Sequence, residues 1–314
     1  MQYPKTPFGI MFHHFHDGKQ HPYIQGALTA EEFRDVLTGA NGLEILPAQT
    51  WLDLFYKGEL KPTQSCITFD DALQCQYDIA LPIMEELGLT AFWFVYSSVF
   101  EGVMEPFELH RFFKNVAYDS VEDFNRSFID GIRRFQPDAH DWDAIVVSDS
   151  AKKHLSEHHF YSESDRLFRY IRDIVLTPQE FADAMESLMQ EKGFSAHDWV
   201  KSMWMDDDCL RDLKSRGHVI GLHSYSHPVN FRRLELSEQV REYFKNVLHL
   251  TKVLGEAPGV MAHPSNSYND ATLEILKGFG VRCGFRSDPA ESGGTPLEIA
   301  RIDSLDLKNA RKRA

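Results

Sequence analysis

The sequence predicts an α/β fold built on parallel strands, in an open sheet or closed into a barrel, with a helical insertion. Short apolar runs rich in β-forming residues alternate with helix-like segments over much of the 314-residue chain, an order typical of βα units. Residues 101–205 break this order, because they contain amphipathic helix patterns and no convincing strand. We therefore predict one domain over residues 1–314, with a mainly helical insertion at about 101–205.

Seven apolar runs are the predicted strands. They are FGIMF (8–12), SCITF (65–69), AFWFVY (91–96), HVIGL (218–222), GVMA (259–262), CGF (283–285) and EIARI (298–302). Within the insertion, a strand at Ile145-Val146-Val147 is an alternative to helix.

Helix start and stop signals lie between these runs. Thr29-Ala30-Glu31-Glu32 has the form of a capping box and predicts the start of a helix. Residues 75–87 and 237–254 predict helices that end at Gly88 and Gly255. Residues 206–216 and 270–279 predict two more helices.

The charge of the chain argues against a nucleic-acid partner. The formal net charge is −14, whereas binding to a phosphate backbone requires a basic surface. The terminal LKNARKRA is basic, and we predict that this short tail is solvated. The oligomeric state is not determined by these features.

The apolar content and the cysteines indicate the compartment. No run of 18 apolar residues occurs, so no membrane span is expected. The opening segment lacks the long apolar stretch of a signal peptide. Four widely spaced cysteines, Cys66, Cys75, Cys209 and Cys283, are typical of reduced thiols. We therefore expect a soluble cytoplasmic protein.

Titratable residues follow four of the predicted strands directly. These clusters are His13-His14, Asp70-Asp71, His223 with His227, and His263. The carboxyl ends of parallel strands are where α/β barrels and open α/β sheets place their active sites. The pattern therefore predicts a functional site at this end of the sheet.

Two of these clusters have the composition of a metal site. Two adjacent carboxylates at the end of a buried strand are costly unless they are paired or bind a metal, although Asp70-Asp71 in an exposed turn or capping a helix is an alternative. His223 and His227 are four residues apart and suit a divalent ion such as Zn²⁺. Together they supply a carboxylate and two imidazoles and leave positions open for water and substrate, as catalytic metal sites do.

Three segments resemble motifs of one enzyme family. TFDDA (68–72) and the residues after it resemble the first motif of carbohydrate esterase family 4, the NodB-homology polysaccharide deacetylases. LKSRGHVIGLHSYSHP (213–228) resembles the second motif, and VMAHPSNSYNDATLEILKGFGVRCGF (260–285) resembles a variant of the third. The resemblance implies a deformed (β/α) barrel and metal-dependent removal of an acetyl group from an N-acetylated sugar.

The resemblance also implies a role for each motif residue. Asp71, His223 and His227 would hold one divalent metal ion, with Zn expected and Co or Ni as alternatives. Asp70 would be the general base that takes a proton from the attacking water. A backbone N–H near Ser265 would help to stabilise the tetrahedral oxyanion.

The general acid is predicted on the opening strand. Many relatives place the acid histidine near the C-terminus, but EIARIDSLDLKNARKRA (298–314) contains no histidine. A permuted branch of the family opens instead on a strand that ends in Tyr-His, and Phe12-His13 resembles that ending. We therefore predict that His13 is the acid, with His14 in reserve and core or capping roles as alternatives.

Further residues depart from or extend the pattern. Ala72 replaces the usual glycine after the aspartate pair, and the usual arginine of the third motif is absent. IARID (299–303) resembles a Pro-Arg-Ile-Asp ending of the permuted branch, which implies that Arg301 orients Asp70, with a surface salt bridge as the alternative. His110-Arg111 resembles a His-Lys pair that opens the helical insertion in some relatives, which implies that His110 borders the substrate cleft. Tyr268 lies in a stretch that resembles Ser-Tyr-Asn-Asp of the family, and it would form either a pocket wall or packing.

These features together predict a metal-dependent amide hydrolase. The expected substrate is an N-acetylated saccharide, such as a nucleotide- or lipid-linked precursor of a surface glycan. Two alternatives remain: another C–N hydrolase, acting on a formamide or ureide, and a non-catalytic glycan-binding protein.

Overall fold

The predicted apolar runs form the strands of one parallel sheet in the computed structural model, which describes residues 4–40, 42–156, 162–289 and 294–312. The strands are β1 (Phe8–Phe12), β2 (Glu44–Ile45), β3 (Gln64–Asp70), β4 (Phe92–Val95), β5 (Val219–Leu222), β6 (Val260–Ala262), β7 (Cys283–Phe285) and β8 (Ala300–Asp303). Each of the seven runs contributes a strand, and two-residue β2 is too short to leave a run in the sequence.

The sheet curls into a nearly closed barrel. Its order is β7-β6-β5-β4-β3-β1-β8, and β2 pairs with the first residues of β3. Between β7 and the start of β8, Phe285 forms a single parallel bridge with Ile299. The Gly284 N–H also donates to the Pro296 carbonyl at 3.0 Å. A side chain at Gly284 would meet the backbone of Leu297 at 2.7 Å, so glycine permits this approach. The predicted (β/α) barrel is therefore confirmed.

Helices surround the barrel. Those of the barrel unit are α1 (Ala30–Thr38), α2 (Ala48–Lys57), α3 (Leu81–Glu86), α11 (Asp207–Ser215), α12 (Leu236–Leu254), α13 (Asp270–Gly278) and α14 (Ser304–Lys312). The predicted capping box is present at Thr29, whose side chain accepts from the Glu32 N–H while the Glu32 carboxylate accepts from the Thr29 N–H. Helix α12 ends at Gly255, which takes the left-handed backbone conformation with φ 80°.

The helix predicted over residues 75–87 is not uniform. It begins as a π-helical turn over Gln76–Ala80 and becomes α-helical only in α3. Single π-turns of this kind are often found at functional sites.

The chain forms two compact units, and the helical one lies within the sequence of the barrel. The barrel unit runs to Glu105 and resumes at Val200, while Pro106–Trp199 forms the other. The latter carries α4 (Pro106–Val116), α5 (Val121–Phe135), α6 (Trp142–Val147), α7 (Asp149–Lys153), α8 (Glu163–Tyr170), α9 (Pro178–Glu191), the start of α10 (Ala196–Met203), and a π-turn at Ile171–Val175. Residues 145–147 are helical, which removes the strand alternative; residues 157–161 lie outside the described residues. That the two units form one domain stays a prediction.

The basic C-terminal tail is not simply solvated. Helix α14 continues to Lys312, and the Lys308 ammonium contacts the Glu32 carboxylate at 2.6 Å. Lys308 therefore pairs with α1, and the solvation of the residues after it stays a prediction.

The core and the cysteines agree with the sequence. Trp51, Phe92, Phe94 and Phe285 pack between the barrel and α2. The four cysteines are free thiols. No helix in the described part of the chain is long and apolar enough to cross a membrane.

Candidate metal centre

The polar clusters at the strand ends meet at one point of the barrel. Asp70 is the last residue of β3 and Asp71 follows it, while His223 follows β5. Asp71 Oδ1 lies 3.5 Å from His223 Nε2 and 3.7 Å from His227 Nε2. One ligand atom from each of Asp71, His223 and His227 fits within 4.8 Å of the others. The three predicted ligands are therefore brought together.

The three residues fit a divalent cation. All three are buried, and Asp71 Oδ1 accepts no hydrogen bond from the described residues. His223 Nδ1 lies 2.9 Å from the Ala262 carbonyl, so the neutral ring carries its proton on Nδ1 and its Nε2 lone pair is available on the side of Asp71. A histidine ligand usually has such a partner on its other nitrogen. A carboxylate with two imidazoles is a donor set typical of catalytic zinc sites.

Asp70 has a different partner. The Arg301 guanidinium donates to both of its carboxylate oxygens, from Nη1 to Oδ1 at 2.6 Å and from Nη2 to Oδ2 at 2.7 Å. Arg301 is completely buried, and its Nε donates to the Arg286 carbonyl at 2.7 Å. The predicted pairing with Asp70 is present, and the alternative of a surface salt bridge is wrong.

The charges around the two carboxylates control their ionisation. Burial acts to raise the pKa of Asp70, but the nearby Arg301 cation, with His223 and His13, holds it below its usual value. Burial likewise acts to raise the pKa of Asp71, and the imidazoles of His223, His227 and His13 hold it below its usual value. Although burial lowers it, the pKa of His223 is raised by Asp70 and Asp71. One guanidinium against two buried carboxylates leaves a net negative site that favours a further cation.

Backbone strain is concentrated at this site. Seven described residues other than glycine have positive φ angles, and six of them belong to the three motifs: Asp71, Ala72, Ser224, His227, Ser265 and Asn266. Such conformations cost energy and persist where the surrounding structure fixes them, often at functional sites. Ala72, with φ 53°, takes a conformation that glycine would adopt with less strain.

His13 lies beside both aspartates. Its Nε2 is 3.8 Å from Asp70 Oδ2 and 4.0 Å from Asp71 Oδ2, and 29% of its side chain remains exposed. That exposure leaves room for contact with a substrate. His14, the reserve acid, is buried, and its carbonyl accepts from the Leu28 N–H at 3.0 Å.

Gln76, in the π-turn, ties the two strand ends together, and sequence reasoning missed it. Its buried amide nitrogen donates to the His13 carbonyl at 2.9 Å and to the Asp70 carbonyl at 2.6 Å. Gln76 is a polar residue on the inner face of the helix predicted over residues 75–87, and this position could have indicated its role from the sequence.

The third motif contributes packing as well as a strained turn. Ser265 is exposed in a short 3₁₀ turn with φ 49°, and its role at the oxyanion stays a prediction. Tyr268 stacks on the His263 ring with centroids 3.9 Å apart, and its hydroxyl donates to Glu298 at 3.0 Å. Of the two alternatives for Tyr268, these contacts favour packing. Burial lowers the pKa of His263 to about 3, so this histidine is neutral near pH 7.

His110 belongs to the helical unit. It lies on α4, and its ring meets Phe181 edge-on with centroids 5.5 Å apart. Burial lowers its pKa to about 4. Contact between His110 and a substrate stays a prediction.

Fold and site together define a class of protein: a parallel barrel with a buried aspartate–histidine centre at the carboxyl ends of its strands. The sequence profile of the family "Polysaccharide deacetylase" matches residues 173–284, about a third of the chain, including the second motif and most of the third. This match confirms the family resemblance over residues 173–284. Membership in the permuted branch stays a prediction.

Solved structures share the fold over nearly the whole chain. IcaB from Ammonifex degensii is 14% identical, with a TM-score of 0.57 over 99% of this chain and 97% of its own. The deacetylase PplD from Streptococcus pyogenes, in complex with acetate, is 15% identical, with a TM-score of 0.55 over 96% and 92%. A de-N-acetylase from Aggregatibacter actinomycetemcomitans is 11% identical, with a TM-score of 0.53 over 95% of each chain. No curated protein matches the chain.

Proposed function

We propose that this protein is a metal-dependent carbohydrate de-N-acetylase that removes an acetyl group from an amino sugar of a surface-glycan precursor or related saccharide. The observation that carries the proposal is the buried cluster of Asp71, His223 and His227 beside Asp70 and His13. The family profile supports deacetylation of a carbohydrate as the class of reaction.

The metal ligands are Asp71, His223 and His227. A divalent ion held by them, most simply Zn²⁺, would supply Lewis acidity for polarising the acetamide carbonyl and for making water a better nucleophile at neutral pH. The Nδ1 contact of His223 with the Ala262 carbonyl orients its ring for this role.

Asp70 is the base that takes a proton from the attacking water. Its carboxylate stays ionised near pH 7 because Arg301 holds its pKa below the usual value against the effect of burial. The two bonds from Arg301 also fix the carboxylate plane while leaving lone pairs on both oxygens. Orientation, rather than high basicity, is thus the contribution of Arg301.

His13 is the acid that completes the reaction. The water oxygen bonds to the acetyl carbon, and the bond from that carbon to nitrogen breaks. The departing nitrogen receives a proton from His13, because an amide anion is a very poor leaving group. The products are acetate and the free amino sugar. The Nε2 atom of His13, 3.8 Å from Asp70, has both partial exposure and proximity to the base.

Release of acetate from defined sugars tests the proposal. Purified protein is incubated with nucleotide-linked, lipid-linked and oligomeric N-acetyl sugars, as prepared, after dipicolinate treatment, and after Zn²⁺ or Co²⁺ is restored. We expect acetate and free amine in equal amounts, loss on chelation and recovery with metal. Formate or ammonia instead of acetate would support a formamide or ureide hydrolase. Binding without turnover in metal-loaded protein would support a glycan-binding protein. The cytoplasmic location stays part of the proposal.

A further inference from the structure

A buried carboxylate on α12 holds the segment that joins the two histidines. Glu242 accepts hydrogen bonds through Oε2 from the Tyr225 N–H at 3.1 Å and the Ser226 N–H at 2.8 Å. Its Oε1 accepts from the Ser226 hydroxyl at 2.8 Å. These donors belong to the three residues between His223 and His227.

One turn further along α12, Asn246 holds the start of the same segment. Its Oδ1 accepts from the His223 N–H at 3.1 Å. Its Nδ2 donates to the Val95 carbonyl and to the Ser97 hydroxyl, both at 3.0 Å. Asn246 is completely buried, so a single amide joins α12, the end of β4 and the residue after β5.

The segment needs such support because its backbone is strained. Ser224 has φ 66° and His227 has φ 54°, and β-carbon-bearing residues adopt this conformation only at a cost. A buried carboxylate is also costly unless it is hydrogen-bonded. The three hydrogen bonds described above to the Glu242 carboxylate all come from this one short segment. The hydrogen bonds of Glu242 therefore compensate both for the strain of the segment and for the burial of the carboxylate, and they form only in the native geometry.

We propose that Glu242 and Asn246 are positioning residues that set the spacing of the His223 and His227 imidazoles for metal binding. Neither side chain is a ligand in the cluster of Asp71, His223 and His227; they act through the backbone of the segment, from a long helix packed on α11 and α13. The inference rests on the proposed function and adds the helix that shapes its metal site.

Titration with Co²⁺ tests the inference without an activity assay. The visible spectrum and the Kd of Co²⁺ are measured for the wild type, Glu242→Gln and Asn246→Leu. In Glu242→Gln, an amide NH₂ group replaces one carboxylate oxygen. This NH₂ group faces an N–H or O–H donor, so the hydrogen bond at that position is lost. Loss of a hydrogen-bond partner that orients a metal ligand typically weakens metal affinity about 10–100-fold. We expect a loss in that range, a changed Co²⁺ spectrum, and partial recovery in Glu242→Asp.

Gln239→Leu is the matched control. Gln239 lies on the same helix and is also buried, but it donates to the Leu234 carbonyl and accepts from the Thr272 hydroxyl, and neither partner belongs to the segment. The Gln239→Leu substitution should lower Tm and leave the Kd and the visible spectrum of Co²⁺ unchanged. Equal loss of affinity in Gln239→Leu would overturn the inference, because general destabilisation would then explain the effect.

Milder measurements cover the case in which Glu242→Gln does not fold. Ser226→Ala removes one donor to Glu242 and should weaken Co²⁺ binding several-fold; the Tyr225 and Ser226 amides of the metal-free wild type should be protected from hydrogen exchange. Wild-type Co²⁺ affinity in Ser226→Ala together with unprotected amides would overturn the inference. A wild type that turns over substrate yet binds no Co²⁺ would overturn the inference and the metal requirement, while the deacetylase activity would stand.

Discussion

Asp70 and Asp71 are neighbours in sequence but have different surroundings. Asp70 ends β3 and is held by two bonds from Arg301. Asp71 turns away with φ 77° and places Oδ1 between the imidazoles of His223 and His227. The change from extended to left-handed backbone therefore separates a carboxylate paired with a cation from one that faces two histidines.

Substitution should separate the two roles. Asp70→Asn should retain the metal and lose on the order of 10²-fold or more in kcat, because the base is missing. Asp71→Asn should weaken metal binding itself, because a neutral amide is a poorer ligand than a carboxylate. Metal content by atomic emission and kcat for an N-acetyl sugar are the measurements. Equal metal loss in both variants would mean that the roles are not separate.

His13 should matter most where the leaving group needs a proton. His13→Ala should keep its metal and slow hydrolysis of an N-acetyl amino sugar by ~10²-fold, the usual size of acid catalysis. An activated aryl acetate should be nearly unaffected, because its leaving group departs without protonation. His14→Ala, a buried neighbour, is the control and should be milder. If both substrates slow equally, His13 is not the acid.

At the scale of elements, the packing around β5 leaves no space for a side chain at Gly221, close to the site. An added β-carbon at Gly221, in β5, would lie 2.6 Å from the Phe94 ring and 2.9 Å from Val260. The Phe94 ring is itself packed against Phe92 and Phe285, so it has little freedom to move. His223 lies two residues beyond Gly221, and a displaced β5 would displace it too.

Gly221→Ala should therefore be destabilising. We expect a loss of about 1–3 kcal/mol in the free energy of unfolding, the usual cost of overpacking a core. Gly259→Ala is the matched control, since a β-carbon there would meet nothing within 4 Å. Urea unfolding of both variants measures the difference. A Gly221→Ala variant as stable as Gly259→Ala would show that the strands adjust more easily than their packing indicates.

A buried histidine joins β4 to β5 and makes this junction sensitive to acid. His218 Nδ1 accepts from the Ala91 N–H and from the Trp93 indole N–H, both at 3.0 Å. Burial lowers the pKa of His218 to about 4 from its usual 6.5, because a buried site disfavours the charged imidazolium. The folded state therefore favours the neutral ring.

The contribution of this junction to the free energy of unfolding should decrease as the pH is lowered. It is fully present above about pH 6.5, where the unfolded histidine is also neutral, and is lost as the pH falls from about 6.5 to about 4, because only the unfolded chain binds the proton. The shift corresponds to about 3 kcal/mol. Tm measured across this range should fall less steeply in His218→Gln than in the wild type. Equal slopes would contradict the assignment.

The elements were largely predictable from the sequence, and their side-chain partners were not. All seven apolar runs contribute strands, because strands buried on both faces require continuous apolar residues. The polar residues after those strands lie close together because the carboxyl ends of parallel strands lie at the same edge of the sheet. Glu242 and Asn246 were missed, because only the folded structure shows that α12 packs behind the histidine segment. The burial of Arg301 likewise depends on β8 lying beside β1.

At the scale of the whole molecule, the metal would join distant parts of the chain. Its ligands come from β3 and β5, which are separated in sequence by the helical unit. A ligand that binds only the folded state stabilises it by about 2.7 kcal/mol at a concentration of 100 Kd. We expect Zn²⁺ to raise Tm by roughly 4 °C, given the unfolding entropy of a chain of this length, and His223→Ala to abolish the rise. Scanning calorimetry with and without Zn²⁺ is the measurement; an equal rise in His223→Ala would indicate binding elsewhere.

The pairing of β1 with β8 has a consequence for the order in which the protein is made. Asp70 and Arg301 are 231 residues apart in sequence, and β8 is synthesised after the seven strands that precede it in the described residues. A nascent chain that has completed β1 and β3 therefore carries Asp70 without its guanidinium partner. Contacts of such long range are slow to form. During biosynthesis, the ion pair between Asp70 and Arg301 can form only after residue 301 has been translated, long after both aspartates have left the ribosome.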